Sequence, residues 1–261
     1  IVFQGVDPNG RRLHYLGAPR GDALRIDLLG DAPNLLTNGG FERDTAGATL
    51  VLDRRATATL ARDTSNAGEG SASLRVDMPA VLADPQDDHV RVRLGPFRVE
   101  KGREYTFRFR IRADAGYGAI SPLFAEAPMR VAVNLTASGQ APAEQDVMAS
   151  RAWREYSLSF VAAADDAQAN LFVLLGKEAG SVWLDALRLQ PGPGDAFARR
   201  FEHGLVLVNG SAGPATFDLS ALAPGTALRH LRGMQDVTFN NGASVSGRVT
   251  LPGRDALVKE L

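Results

Sequence analysis

Along most of this chain apolar residues recur at every second position, and almost nowhere at every third or fourth. HVRVRLGPF (89–97) sets Val90, Val92 and Leu94 against His89, Arg91 and Arg93. YTFRFRIRA (105–113) sets Tyr105, Phe107, Phe109 and Ile111 against Thr106, Arg108, Arg110 and Arg112. Successive side chains of an extended strand point to opposite faces, so a period of two demands strands with one buried face. RVAVNLT (130–136), YSLSFVA (156–162), ANLFVLLG (169–176) and SVWLDALRL (181–189) continue the series, bounded by Gly, Pro and Asp. No window keeps an apolar stripe at helical spacing for about twelve residues with caps. The expected fold class is therefore all-β: an antiparallel jelly-roll sandwich with a second, smaller β-sandwich domain.

A seam divides the pattern. LQPGPGDAF (189–197) packs prolines and glycines into a few residues, the chemistry of a linker or a sharp corner. Strand-like runs then restart at LVLVN (205–209), ATFDLS (215–220), ALRHLRG (227–233) and GRVTLPGRDALVKEL (247–261). IVFQGVDPNGRRLHYLG (1–17) reads as a hairpin turned at Asp7-Pro8-Asn9-Gly10. The piece after the seam is small for a self-sufficient core. Residues 1–32 and 192–261 are therefore expected to form one small β domain, with 33–191 inserted into it. The chain opens at Ile1, already inside a strand-like run, as expected of a piece cut from something longer.

Several functions find no support. The net charge of −1 gives no global pull toward nucleic acid or an anionic membrane. No apolar run approaches the roughly 18 residues of a membrane span. There are no cysteines, hence no disulfides or thiolate metal sites. The histidines His14, His89, His203 and His230 are scattered without metal-ligand spacing. Asp87-Asp88 and Asp165-Asp166 read as loop acids, and Ser211 in NGSAG has no helix after it to make a nucleophile elbow. The chain is expected not to be an enzyme.

NLLTNGGFE (34–42) carries the next clue. It leads two leucines into a turn and ends on Phe41 and Glu42, so the aromatic can point inward while the acid points away. Taken in order with GEGSASLRV (68–76), EYTFRFRIRAD (104–114), AWREYSLSFVA (152–162) and SVWLDALRL (181–189), it resembles the carbohydrate-binding modules of families 4, 9, 16 and 22. The likeness covers about 160 residues and implies a galactose-binding-like jelly roll that binds polysaccharide or oligosaccharide. In such modules the acid of the first motif and the acid of the last strand hold a structural calcium ion; here these are Glu42 and Asp185. Calcium takes six to eight oxygens and suits turns whose carbonyls converge. Alternatively, the two are separate surface acids accepting turn N–H groups. ARRFEHGLVLVNGS (198–211) and VTLPGRDALV (249–258) resemble the small β domain that closes certain glycoside-hydrolase barrels. That likeness implies a catalytic domain elsewhere in a secreted or cell-surface bacterial protein.

Sugar recognition relies on aromatic faces and a few fixed polar groups. Tyr117 and Phe124 lie in the loop DAGYGAISPLFAEAP (114–128), and Trp183 takes the phase opposite Val182 and Leu184. These three are candidate sugar contacts. If the strands holding Arg91 and Arg93 and holding Arg108, Arg110 and Arg112 pair, their guanidinium groups share one face. Arg108 and Arg110 would then be candidates for reading an acidic glycan. A structural sandwich that packs against a catalytic barrel, with no glycan affinity, is the competing reading. Burial of the aromatics and pairing of the arginines would favour it.

Overall fold

The computed structural model describes residues 4–6, 12–14, 16–53, 55–114, 116–117, 126–134, 144–231 and 241–260. The chain divides into two compact units, Ile1–Gly30 with Pro193–Leu261, and Asp31–Gly192. The first unit begins with the antiparallel pair β1 (Gln4–Val6) and β2 (Arg12–His14), then β3 (Leu24–Arg25). The second unit follows with β4 (Ala48–Leu52), β5 (Thr59–Asp63), β6 (Ser73–Met78), β7 (Val90–Val99) and β8 (Glu104–Ala113). It continues through β9 (Glu126–Asn134), β10 (Glu144–Ser150), β11 (Arg154–Val161), β12 (Asp166–Leu174) and β13 (Gly180–Pro191). The chain then returns to the first unit with β14 (Ala196–Phe201), β15 (Gly204–Asn209), β16 (Ala215–Asp218), β17 (Leu228–His230), β18 (Ser244–Val245), β19 (Arg248–Leu251) and β20 (Asp255–Glu260).

Residues 31–192 form an all-β sandwich of two antiparallel sheets, ordered β10-β9-β12-β7-β4 and β11-β8-β13-β6-β5. The apolar phase of each strand meets the other sheet. Val92, Leu94, Val131, Leu171 and Val173 come from one side, and Leu74, Val76, Phe107, Phe109, Ile111 and Leu184 from the other, all buried in one core. Burying each such side chain contributes about 1.5–3 kcal/mol. Phe107 and Phe109 stack at 4.8 Å between ring centroids.

The strands carrying the arginines do not pair. β7 lies between β12 and β4, whereas β8 lies between β11 and β13. The connection at 100–103 crosses from one sheet to the other instead of closing a hairpin. Arg91 and Arg93 therefore stand on the outer face of one sheet, and Arg108, Arg110 and Arg112 on that of the other. The shared five-arginine face is overturned by this topology.

The first unit holds a six-stranded sheet, ordered β18-β17-β20-β15-β14-β3, and the pair β16-β19. Its core gathers Ala196, Leu205, Leu207, Phe217, Leu228, Leu251 and Leu257. The run ATFDLS ends its strand early because Asp218 caps a single helical turn, Leu219–Leu222, accepting from the Ser220 and Ala221 amides. Asn209 turns its amide onto the carbonyls of Gly213, Leu251 and Pro252. Lys259 is buried with Nζ 2.7 Å from His230 Nδ1, and burial lowers its pKa to about 8. No helix among the described residues is long and apolar enough to cross a membrane.

Candidate functional site

The NLLTNGGFE turn sits where three segments of the second unit converge. Phe41 is buried in the core and Glu42 is exposed, as their order in the sequence suggests. Positive φ falls on Asn38 (56°) and Phe41 (52°), while Gly39 permits close approach: a Cβ there would lie 2.0 Å from the Leu187 carbonyl oxygen. Leu187 N–H in turn donates to the Gly39 carbonyl at 2.9 Å. This contact is possible because β13 bulges between Asp185 and Arg188, with Ala186 at φ 52°. The third segment is the loop after β5, where Gly70 leaves room for Glu42.

The two acids meet this junction from opposite sides. Glu42 accepts from the Ser71 hydroxyl at 2.5 Å and the Ser71 amide at 3.0 Å, bonds that lower its pKa. Asp185 is fully buried and takes the amides of Gly68 and Glu69 on Oδ2, at 2.7 and 2.8 Å, and that of Ala186 on Oδ1 at 2.6 Å. Desolvation raises its pKa, the three amides oppose that rise, and the charge of Glu42 adds to it. A cavity of about 350 Å³ opens beside Glu42, lined in part by Asn34, Gly39, Gly70 and Ala186. All-oxygen donors and two like charges are the chemistry a hard cation suits. Other acceptors here are held by arginines: Arg62 donates to the carbonyls of Phe41 (2.9 Å) and Glu42 (2.7 Å), and Arg188 pairs with Glu69 at 2.5 Å. Among the described residues no cluster of three or more His, Cys, Asp or Glu is poised for a metal. A cation would therefore need carbonyl or water oxygens to complete its shell.

The face offered by Arg108, Arg110 and Trp183 is partly covered. Residues 64–72 fold across the outer side of β8 and β13, bringing Gly68 against both Asp185 and the ring of Trp153. Arg110 donates to the Gly68 carbonyl and lies 3.9 Å from Glu155 on the neighbouring strand. Arg112 bonds Asn66 and the Arg151 carbonyl. Arg108 stands in register with Ser157 and Arg188. Trp183 is 5% exposed although it takes the polar phase: Arg75 and Arg112 lie 5.3 and 5.2 Å from its ring, and its indole N–H donates to Asp63 at 2.7 Å. The ring serves packing, so it does not offer the face expected of it. Tyr117 is likewise 1% exposed within the core, and burial pushes its hydroxyl pKa up. Phe124 lies outside the described residues.

Asp63 links this cluster to pH. Burial alone would raise its pKa, but bonds from Ser65 and Trp183 and the charge of Arg75 hold it at about 2, below the ordinary 3.8. A depressed carboxylate stabilises the fold above its ordinary pKa and loses that contribution as pH falls toward the folded value. Asp63→Ala is expected to cost about 2 kcal/mol at neutral pH. Urea unfolding at neutral pH and near pH 2 should show the gap between variant and parent closing in acid.

The opposite sheet presents a different surface. β12 buries Ala169, Leu171 and Val173, which turns Asn170, Phe172 and Leu174 outward, half-buried. Phe172 stands in register with Arg93 on one side and Ala132 on the other; Leu174 stands between Arg91 and Arg130. Arg91 lies 5.8 Å from the Phe172 ring centroid. The result is an aromatic ring at the middle of an outer sheet face, bordered by an arginine strand. Sequence reasoning passed over Phe172 because ANLFVLLG is apolar almost throughout, and a continuous apolar run hides which phase is inside.

Fold and site together define a two-sheet antiparallel β-sandwich with an aromatic-and-arginine outer face. No protein-family model matches the chain, and no curated protein matches it. Among solved structures it is similar to one described as "CBM4 structure and function", at 15% identity and TM-score 0.46, over 60% of this chain and 99% of that one. It is similar to another described as "BiXyn10A CBM1 APO", at 15% identity and TM-score 0.45, over 63% and 99%. A third is the CBM22-1 xylan-binding domain from Paenibacillus barcinonensis Xyn10C, at 14% identity and TM-score 0.44, over 61% and 95%.

Proposed function

We propose that residues 31–192 are a non-catalytic carbohydrate-binding module whose binding surface is the outer face of β7, β12 and β9. The observation that carries this reading is Phe172, a half-buried ring at the centre of an outer sheet face with Asn170 and Arg93 beside it. An aromatic face set among a few fixed polar groups is what stacking on a sugar ring requires. The ordered motifs from NLLTNGGFE to SVWLDALRL support the same class. The motifs of 198–211 and 249–258 support a further reading, that the chain belongs to a larger secreted glycoside-hydrolase-like protein. A structural scaffold without glycan affinity is the second reading, favoured by the burial of Tyr117 and Trp183. Glycan-array binding separates the two. Binding that Phe172→Ala removes supports the module; no binding from the folded chain leaves the scaffold.

A calcium ion between Glu42 and Asp185 is part of the proposal. Its role would be structural: neutralising two acids and tying the first turn to the last strand. Millimolar calcium is expected to raise the unfolding midpoint by several degrees over the chelator-treated protein, since a ligand at about 100 times its Kd stabilises by about 2.7 kcal/mol. Glu42→Gln should remove that response. A midpoint indifferent to calcium would show the arginines already satisfy the junction.

A further inference from the structure

We propose that the β7–β12 face recognises a uronate-bearing polysaccharide, whose carboxylates meet Arg91 and Arg93 while a sugar ring lies on Phe172. The inference rests on the reading of this face as the glycan site. It is carried first by an asymmetry of charge across one sheet. Arg130, two strands from β7, is neutralised by Asp146 at 2.9 Å, Glu144 at 3.3 Å and Asp87 at 3.5 Å. Arg91 and Arg93 make no ion pair among the described residues. Among the described residues one side of the apolar centre is therefore acidic, with three carboxylates around Arg130, and the other is basic.

A second observation concerns Arg91 itself. Its guanidinium lies against Phe172, and its Nε is buried with no hydrogen-bond partner among the described residues. A buried donor without an acceptor costs free energy, which an oxygen reaching it after a shift of the side chain would restore. A third is alignment. Phe97 and Val99 are buried, so alternation turns the exposed Arg98 outward on the same strand as Arg91 and Arg93. The charges thus follow one strand, a line that suits a repeating polymer better than an isolated anion. A guanidinium fork matches a planar carboxylate with two parallel bonds, and a neutral hydroxyl cannot compensate the charge in the same way.

The test is titration of the full chain with polygalacturonate, alginate and glucuronoxylan, each against its methyl-esterified counterpart, with dextran sulfate as a sulfated comparison. At least one uronate polymer is expected to bind about tenfold more tightly than its ester, with affinity falling as salt is raised. Arg91→Gln with Arg93→Gln should abolish that preference, whereas Lys101→Gln, on an exposed turn, should leave it intact. Circular dichroism of the double variant confirms that it folds. Equal affinity for a uronate and its ester overturns the charge assignment while leaving the glycan reading standing. Preference for dextran sulfate, retained in Phe172→Ala, also overturns it, since that is polyanion attraction without sugar recognition. No binding to any polymer overturns both.

Discussion

Asp185→Ala is expected to destabilise residues 31–192 by about 2–3 kcal/mol, because it strands partly buried N–H donors worth roughly 1 kcal/mol each. Three amides converge on this carboxylate: Gly68 and Glu69 from the loop after β5, and Ala186 from the bulge of its own strand. The bonds span 117 and 116 residues of sequence, so the side chain holds together segments that no local interaction joins. A solvated surface acid would cost under about 0.5 kcal/mol on removal, which makes the two cases easy to separate by urea unfolding. Hydrogen exchange adds a residue-level check: the Gly68 and Glu69 amides should lose protection first. Asp185→Asn should cost less, since it retains one acceptor oxygen, yet it turns an N–H₂ group toward amides that can only donate. Loss of the loop's anchor would also free the ring of Trp153, which lies against Gly68, so an early change in tryptophan fluorescence should precede global unfolding.

The second large effect belongs to Phe172. Truncation to alanine is expected to lower glycan affinity at least tenfold, about 1.4 kcal/mol or more, because hot spots concentrate on aromatic rings central to a binding patch. Stability should fall by only about 1 kcal/mol, since the ring is half-buried and its strand is anchored by Leu171 and Val173 on the core side. Phe172→Tyr keeps the stacking face and should retain most of the affinity. Equilibrium titration with the tightest glycan found, alongside urea unfolding, distinguishes loss of contact from loss of fold. Unchanged affinity in Phe172→Ala would move recognition elsewhere on the molecule.

How far the sequence revealed this can be stated strand by strand. Alternation in 89–97 and 105–113 gave the strands and their apolar buried positions, because each is a local property of the residue pattern, although His89 and Thr106, read in the polar phase, are buried too. Partner choice was not visible. β7 and β8 are consecutive and separated by a short turn, which is how a hairpin looks in sequence, yet they enter opposite sheets. Pairing depends on what lies across the sandwich, and that information is spread over the whole chain. The arginine face failed for this reason, while the individual arginines did take the outward phase. Trp183 failed differently: its phase was read correctly, but an outward side chain can still be buried when two arginines and a carboxylate close around it. Phe172 was hidden by the opposite problem, an outward aromatic in a run where nearly every neighbour is also apolar. Glu42 and Asp185 were legible as a pair only through the ordered motifs, since nothing in their spacing brings them together.

The bulge that seats Leu187 on Gly39 is flanked by further contacts between the same two segments. Leu35 donates to the Leu189 carbonyl, Asn34 bonds both Leu187 and Leu189, and Gln190 reaches the Ala32 carbonyl. The strand by which the chain leaves residues 31–192 is therefore stitched alongside the segment by which it enters. A cassette with adjoining ends can be gained or lost by a host sequence without re-spacing the residues on either side, whatever its internal length. Such a cassette can then be exchanged as a single genetic event, and Gly39, which admits this contact, leaves no room for a side chain unless Leu187 shifts.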